Sequence, residues 1–273
     1  RIGVRRVAGD LVVRGPLLFN WQPDPSGRRL RQALEGRDGV AAWERGRGAA
    51  DPRLSDAALV FEGRDAAGRD AAEDRLGEEH QLVMYRSPAL LHLIKVLNGY
   101  SNNVFHLVCD AIGGPAAVEE IARLAVPAEL RDEIVITNGA GGGASNRMSP
   151  RAAVALVAAL ERNLARHNLK LYDALPVSGV DPGTLDERLL ENRAMVVGKT
   201  GTYGDVGASA LTGALHTERF GEVRFAVLNS FVPVPEARKR QDRFVRDLIA
   251  ATGAEAWPYL TPTEPNYRAA ELQ

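Results

Sequence analysis

Three extended apolar runs follow one another in the last third of this chain: Ala194 to Thr202, Ala208 to Leu215 and Val223 to Phe231. The breaks between them are too short for a parallel crossover, so the runs are expected to form an antiparallel meander. His216 to Gly221 makes the hairpin connection between the last two. A terminal helix starts at Pro235, and its Phe244, Val245, Leu248 and Ile249 form an i, i+4 apolar stripe. A sheet of this kind has to bury its faces, and the preceding residues supply the cover. Ser87-Pro88 offers a cap followed by proline at the first helical position, and Leu90, Leu91, Ile94 and Leu97 then fall at helical spacing. Gly99 is expected to end that helix, with a second running from Ser101 to Ile112 and a third, after Gly113-Gly114-Pro115, through Leu124. Residues 133–137 read as a strand leading into a glycine-rich loop from Asn138 to Ser145. Ser149-Pro150 then opens an alanine-rich helix ending near His167, with Val154, Val157 and Leu160 on one side. Helices first, then a meander, then a closing helix describe an α+β fold with an antiparallel sheet flanked by helices.

The first 82 residues differ in character. Ile2 to Val13 carries β-branched residues in rough alternation broken by Gly9-Asp10, which predicts one or two short strands. Residues 44–79 are dense in charge and poor in large apolar side chains, the pattern of a solvated surface insertion with short helices. The expected organisation is a partial N-terminal, inserted region over 1–82, the helix-and-sheet domain over 83–260, and a tail over 261–273. The chain opens on Arg1 in what reads as mid-domain sequence, so a longer polypeptide is expected.

Composition excludes several function classes. Lys and Arg number 34 against 35 Asp and Glu, a net charge of −1, and give no electrostatic reason to expect nucleic acid or an anionic membrane as partner. The longest apolar stretches, such as Ala152 to Leu160, are too short to span a bilayer. Cys109 is the only cysteine, so there is no internal disulfide and no thiolate metal cage; inside the run from Val104 to Ile112 it is a core filler. His80, His92, His167 and His216 show no ligand spacing, and neither a metal nor another cofactor is expected. His106 reads as a packing or surface residue, and Tyr100 and Tyr203 as aromatic packing. The glycines from 139 to 143 match no phosphate-binding pattern, leaving a loop near a cleft.

Two short motifs remain. Ser101-Asn102-Asn103 stands at a loop-to-helix junction, and Lys199-Thr200-Gly201-Thr202 ends the first run of the meander. Alone, S-x-N occurs by chance in a chain of this length, and K-T-G is only somewhat rarer. In this order they resemble the second and third motifs of the penicillin-binding proteins and serine β-lactamases. The surroundings narrow the resemblance. Leu175-Pro-Val-Ser-Gly-Val-Asp-Pro-Gly-Thr-Leu185 is similar to the LP-x-x-GVD-GTL stretch of the DacB-type D-Ala-D-Ala carboxypeptidases, with Pro182 inserted. Tyr85-Arg-Ser-Pro-Ala-Leu90, Leu97-Asn98 and Tyr100-Ser-Asn-Asn103 resemble that family's approach to its second motif. Asn138-Gly-Ala-Gly141, Asn146-Arg147 and Ser149-Pro150 resemble its DGSGLS…NR-x-(S/T)P loop, and Gly3 to Val13 its GDLVV strand.

The resemblance implies a β-lactamase/transpeptidase-like fold with a reduced N-terminal region. It also implies an exported, penicillin-binding peptidase of the bacterial cell envelope or periplasm that acts on peptidoglycan stem peptides. In such an enzyme a serine attacks the penultimate D-Ala carbonyl, the terminal D-Ala leaves, and the acyl-enzyme passes to water. Carried over residue by residue, Lys199 places an ammonium near the substrate's terminal carboxylate and Thr200 hydrogen-bonds it. Gly201 lets the substrate lie against the strand, and the Thr202 N–H is half of an oxyanion hole. Ser101 relays a proton toward the leaving amine, and Asn103 holds the substrate amide and the first-motif lysine.

That first motif, S-x-x-K, is absent: no serine of the chain has lysine three residues later. Either the segment lies upstream, which is the expectation, or the chain is a non-catalytic muropeptide-binding relative that lost its nucleophile. Further departures are His106-Leu107 after S-x-N and Asn138 where the family has aspartate. A class A β-lactamase would need an E-x-x-L-N loop, and Glu161-Arg-Asn-Leu-Ala165 ends in alanine inside a predicted helix. Oligomeric state is left open.

Overall fold

The computed structural model describes residues 6–19, 22–35, 60–67, 84–85, 89–100, 104–142, 145–204, 207–260 and 270–271. The chain divides into two compact units, residues 1–82 and 83–273. In the first unit, β1 (Arg6–Val7) pairs in parallel with β5 (Val60–Phe61), and β2 (Leu11–Val13) in parallel with β6 (Asp65–Ala67). A small antiparallel pair, β3 (Leu18–Phe19) and β4 (Gln22–Pro23), leads into α1 (Arg28–Leu34). The buried Asp24 accepts the free amides of Arg29 and Leu30 at the start of α1. Residues 60–67 are thus strands paired with the N-terminal ones, where the charge-rich composition had predicted short helices. Phe61 explains the difference, since it is buried and gives that stretch an apolar anchor.

The second unit is the helix-and-sheet domain. After β7 (Met84–Tyr85) come α2 (Leu90–Tyr100), α3 (Phe105–Ala111) and α4 (Gly114–Ala125), then a 3₁₀ segment, Ala128–Glu133. β8 (Ile134–Val135) pairs with β9 (Arg147–Met148) across the glycine-rich loop. α5 (Pro150–Ala165) begins as its sequence predicts: Ser149 accepts the Ala152 amide, with proline in the first turn. The short α6 (Leu171–Ala174) precedes β10 (Val196–Tyr203), β11 (Ala208–Thr217) and β12 (Gly221–Asn229). These three pair antiparallel in chain order, from Val196 opposite Leu215 to Tyr203 opposite Ala208, and from Ser209 opposite Asn229 to Thr217 opposite Gly221. α7 (Val234–Thr252) stops at Gly253, whose φ of 64° closes the helix end as its N–H donates to Ile249 O (3.0 Å). β13 (Ala254–Glu255) then pairs with β11, and β14 (Ala270–Glu271) with β7.

Alternation along β10 and β11 divides the core in two. Val197 and Ala214 face α5 and α6, packing with Val157, Leu164, Leu171 and Trp257. Val196, Leu211 and Leu215 face α7 and meet Val245 and Ile249. Helices therefore cover both faces of an antiparallel sheet, the α+β architecture expected. Two local expectations fail. Phe244 is 46% exposed, so the stripe of α7 narrows to Val245, Leu248 and Ile249. α2 also runs through Gly99 to Tyr100. Gly99 marks a close backbone contact there, not a helix stop. Among the described residues no helix is long and apolar enough to cross a membrane.

Candidate active site

The K-T-G motif sits on β10, which among the described residues has a neighbouring strand on one side only. Its other edge is partly covered by residues 176–178: Ser178 N–H donates to Val196 O (2.9 Å), Gly198 N–H donates to Pro176 O (3.0 Å), and Val177 bridges Val197. The main-chain groups of residues 196 and 198 therefore face away from β11. Backbone direction repeats every two residues in a strand. The N–H and C=O of Thr200 and Thr202 accordingly face the same edge, beyond the point where 176–178 covers it. Among the described residues no strand pairs with the edge that carries the motif.

Two glycines on this strand behave differently. A Cβ on Gly198 would press into the Thr212 carbonyl, so glycine is required there for strand packing. A Cβ on Gly201 would meet only Ala210 Cβ at an ordinary 3.6 Å. Among the described residues nothing demands glycine at 201.

Lys199 and Gly201 share one face of the strand, Thr200 and Thr202 the other. Lys199 is half-buried, and among the described residues no carboxylate pairs with it; its Nζ donates to Thr200 O at 2.5 Å. Burial without a counter-charge lowers its pKa from 10.5 to about 8. Thr200 is buried and its Oγ1 lies 2.5 Å from Thr184 Oγ1. Thr202 is exposed and its Oγ1 accepts from Arg238 Nη2 at 3.4 Å. On this threonine face a hollow of about 400 Å³ is lined by Gly183, Thr184, Asp186, Glu187, Arg188, Arg238 and Asp242. Arg188 is already neutralised there by Asp242.

Ser101 and Asn103 lie outside the described residues, but the helix that leads to them is well tied to the strand. The link is the segment from Ala174 to Leu185. Asn98 Nδ2 donates to Ala174 O (3.0 Å) and Thr184 N–H donates to Gly99 O (3.0 Å), so the last turn of α2 docks on both ends of that segment. Gly183, at φ 128°, lies so close that a Cβ would overlap the Gly99 carbonyl. The glycine-rich loop closes in from another side. Gly139 packs on Cys109 and Phe105 of α3 so tightly that a Cβ has no room, and Gly142 faces the Tyr203 ring across 3.8 Å from where its Cβ would be. Asn138 organises this loop by donating to Gly142 O (2.6 Å) and accepting from Ala140 N–H (3.1 Å). Asn146 accepts the Thr137 N–H (2.7 Å) and also donates to Gly142 O (3.2 Å). Cys109 is buried, as a core filler should be, and His106 is exposed.

The sequence profile of the D-Ala-D-Ala carboxypeptidase 3 (S13) family matches residues 61–250. The chain belongs to this family. The S13 match begins at Phe61, inside the stretch whose charge pointed to a surface insertion. No curated protein sequence matches the chain. Among solved structures, it is similar to the predatory endopeptidase Bd0816 from Bdellovibrio bacteriovorus, in complex with immunity protein Bd3460. The TM-score is 0.70 and the identity 18%, over 96% of this chain and 74% of that one. Penicillin G-acylated Bd3459, another predatory endopeptidase of that organism, gives a TM-score of 0.62 at 19% identity, over 76% and 57%. Penicillin-binding protein 4 (dacB) from Haemophilus influenzae, complexed with a β-lactam, gives 0.50 at 18%, over 76% and 50%. At such identities the likeness shows a shared fold. Within this S13 chain, Thr184 and Arg238 touch the motif strand, and Asp181, Lys95 and Asn98 hold the segment beside it, without having been singled out as site residues. Thr184 and Asp181 stand in the GVD-P-GT stretch and Asn98 in the Leu97-Asn98 pair, where the signal was present as family resemblance; Lys95 and Arg238 carry no local pattern at all.

Proposed function

We propose that this chain forms the substrate-holding side of a serine-type D-Ala-D-Ala carboxypeptidase or endopeptidase of the DacB type, acting on peptidoglycan stem peptides in the bacterial cell envelope. The observation that carries the reading is Lys199, a half-buried ammonium without a carboxylate partner among the described residues, on the strand edge that no described strand pairs with. An uncompensated buried charge is costly to a fold and has value where a ligand supplies the opposite charge. The terminal carboxylate of a D-Ala-D-Ala peptide is such a ligand. Gly201 supports the same reading, because among the described residues only Ala210 comes near the place a side chain there would occupy.

In this mechanism the peptide lies along the β10 edge with its terminal carboxylate at Lys199 and the Thr200 hydroxyl. The scissile carbonyl oxygen takes the Thr202 N–H, a donor of a kind worth about 3–4 kcal/mol to a developing oxyanion. A serine hydroxyl adds to the carbonyl carbon while its proton passes to a base. The tetrahedral intermediate collapses, the C–N bond breaks, and the leaving amine takes a proton relayed by Ser101. Water then cleaves the ester. Asn103 holds the substrate amide. The nucleophile and its lysine belong to an S-x-x-K segment that this sequence does not contain, and the same segment accounts for acylation by β-lactams.

A second reading is a muropeptide-binding relative that holds the peptide without cleaving it. Intact mass spectrometry of the natural protein, before and after incubation with a penicillin, separates the two. A mass gain of one penicillin supports the peptidase. A protein that gains nothing, and still binds an acyl-D-Ala-D-Ala peptide in a titration, refutes the peptidase and establishes the binder.

A further inference from the structure

Asp181 is buried in the segment that joins α2 to the motif strand, and three separate parts of the chain converge on its carboxylate. Its Oδ2 accepts from Val177 N–H (2.9 Å) and lies 3.0 Å from Lys95 Nζ, and its Oδ1 accepts from Tyr259 Oη (2.7 Å). Lys95, on α2, also donates to Tyr172 O at 2.5 Å and sits 3.8 Å from the centroid of the Tyr259 ring. Tyr259 in turn rests on Tyr172, whose ring meets Trp257 edge-on. The carboxylate therefore clamps α2, the 172–181 segment and the chain beyond α7 at one point.

Both ends of this clamp lead to functional elements. Val177, held by Asp181, bridges Val197, two residues before Lys199. Lys95 is one turn before Asn98 and Gly99, whose bonds to Ala174 and Thr184 fix the last turn of α2. A buried ion pair is a poor way to gain stability, since well-packed apolar side chains in its place often do as well or better. Its directional bonds do fix geometry. We infer that Asp181, acting through Lys95 and Tyr259, is a positioning residue that sets the spacing between the C-terminal turn of α2 and the Lys199 strand, and so the grip of the cleft on a D-Ala-D-Ala carboxylate. This inference rests on the proposed function.

The test compares Asp181→Asn, Tyr259→Phe and the apolar double variant Lys95→Met/Asp181→Leu with the natural protein. A core variant, Val245→Ala on α7, serves as a control of comparable melting temperature. Two readouts are used: titration with an acyl-D-Ala-D-Ala peptide, and hydrogen exchange at the Thr184 amide, which reports the bond to Gly99. Asp181→Asn is expected to bind at least tenfold more weakly and to exchange Thr184 at least tenfold faster, with a smaller change of the same sign in Tyr259→Phe. The double variant regains the melting temperature without regaining affinity. Val245→Ala leaves both readouts at their natural values. Natural affinity and Thr184 protection in Asp181→Asn, or equal losses in Val245→Ala, overturn the inference, as does a double variant that binds normally. Should Asp181→Asn not fold, the double variant and Tyr259→Phe decide. If the natural protein does not bind the peptide, the proposed function falls, and the exchange arm still decides whether Asp181 sets the spacing.

Discussion

Replacing Lys199 by methionine should make the protein more stable and deprive it of its ligand. The ammonium is drawn into the protein without a carboxylate partner among the described residues, and burial lowers its pKa from 10.5 to about 8. At ~1.4 kcal/mol per pH unit this represents about 3 kcal/mol of unfavourable charge burial in the free protein. The sign follows from linkage. Between pH 8 and 10.5 the unfolded lysine binds more protons than the folded one, so stability rises with pH across that window; as pH falls through 8 the full penalty returns. At pH 7, Lys199→Met removes this penalty and keeps most of the packing, so a gain of about 1–3 kcal/mol is expected in urea unfolding, with m unchanged. The natural protein should gain stability from pH 8 to 10.5, and the variant should not. Binding runs the other way. A peptide carboxylate needs the charged lysine, so the association constant of an acyl-D-Ala-D-Ala peptide should fall about tenfold per pH unit above 8 until the pKa of the complex is reached. Lys199→Met should bind at least a hundredfold more weakly at pH 7. Affinity that stays flat to pH 9.5, or a variant less stable than the natural protein at pH 7, refutes the argument.

Three further substitutions test the scaffold of this domain. Burial, with the hydrogen bond and charge of Glu161 behind it, raises the Glu222 carboxyl to about 7, against the opposing pull of Lys170 and Arg224. A raised carboxyl stabilises the fold below its unfolded pKa, and that contribution is lost as pH rises through 7. Because the side chain is only partly buried, Glu222→Gln should gain only about 1 kcal/mol at pH 8.5 and nothing at pH 5, read from urea midpoints. Gly183→Ala forces a side chain into φ 128° and against the Gly99 carbonyl. It should cost about 3 kcal/mol or more in melting experiments and weaken peptide binding, whereas Gly142→Ala, with an ordinary 3.8 Å contact to Tyr203, should change stability by less than about 0.5 kcal/mol.

The architecture was legible because it is written in periodicities. The three extended apolar runs from Ala194 to Phe231 placed a sheet, and Ser149-Pro150 and the apolar stripe of α7 placed the helices that cover it. The failures are equally physical. Gly99 satisfies the sequence rule for a helix end, yet α2 passes through it, because its missing side chain serves a contact with Gly183 some eighty residues later. No local pattern encodes a partner that distant. Residues 60–67 form strands despite their charged surroundings because β pairing depends on the opposing strand and on one buried ring, Phe61. At the site, Lys199 could be found by its motif. Lys95 could not, since a lysine among leucines on a helix looks like any solvated residue until Asp181 and Tyr259 are seen against it.

The position of Asp181 also bears on how two motifs about a hundred residues apart would be held to the one ligand proposed for them. α2 and β10 belong to different layers, and helix-to-strand packing alone tolerates sliding. What removes that freedom is the segment between Ala174 and Leu185, bound to α2 through Asn98, Gly99 and Lys95, and to β10 through Val196, Val197, Gly198 and Thr200. The last of these bonds, Thr184 to Thr200, ends on a hydroxyl proposed to meet the substrate. A change in the docking of α2 is therefore felt one hydrogen bond from the ligand. The same chain of contacts means that a ligand gripping Lys199 and Thr200 would steady the last turn of α2, the helix that runs into Ser101. Catalytic alignment and substrate affinity are then two readings of one rigid connection, and loosening it at any link should weaken both together.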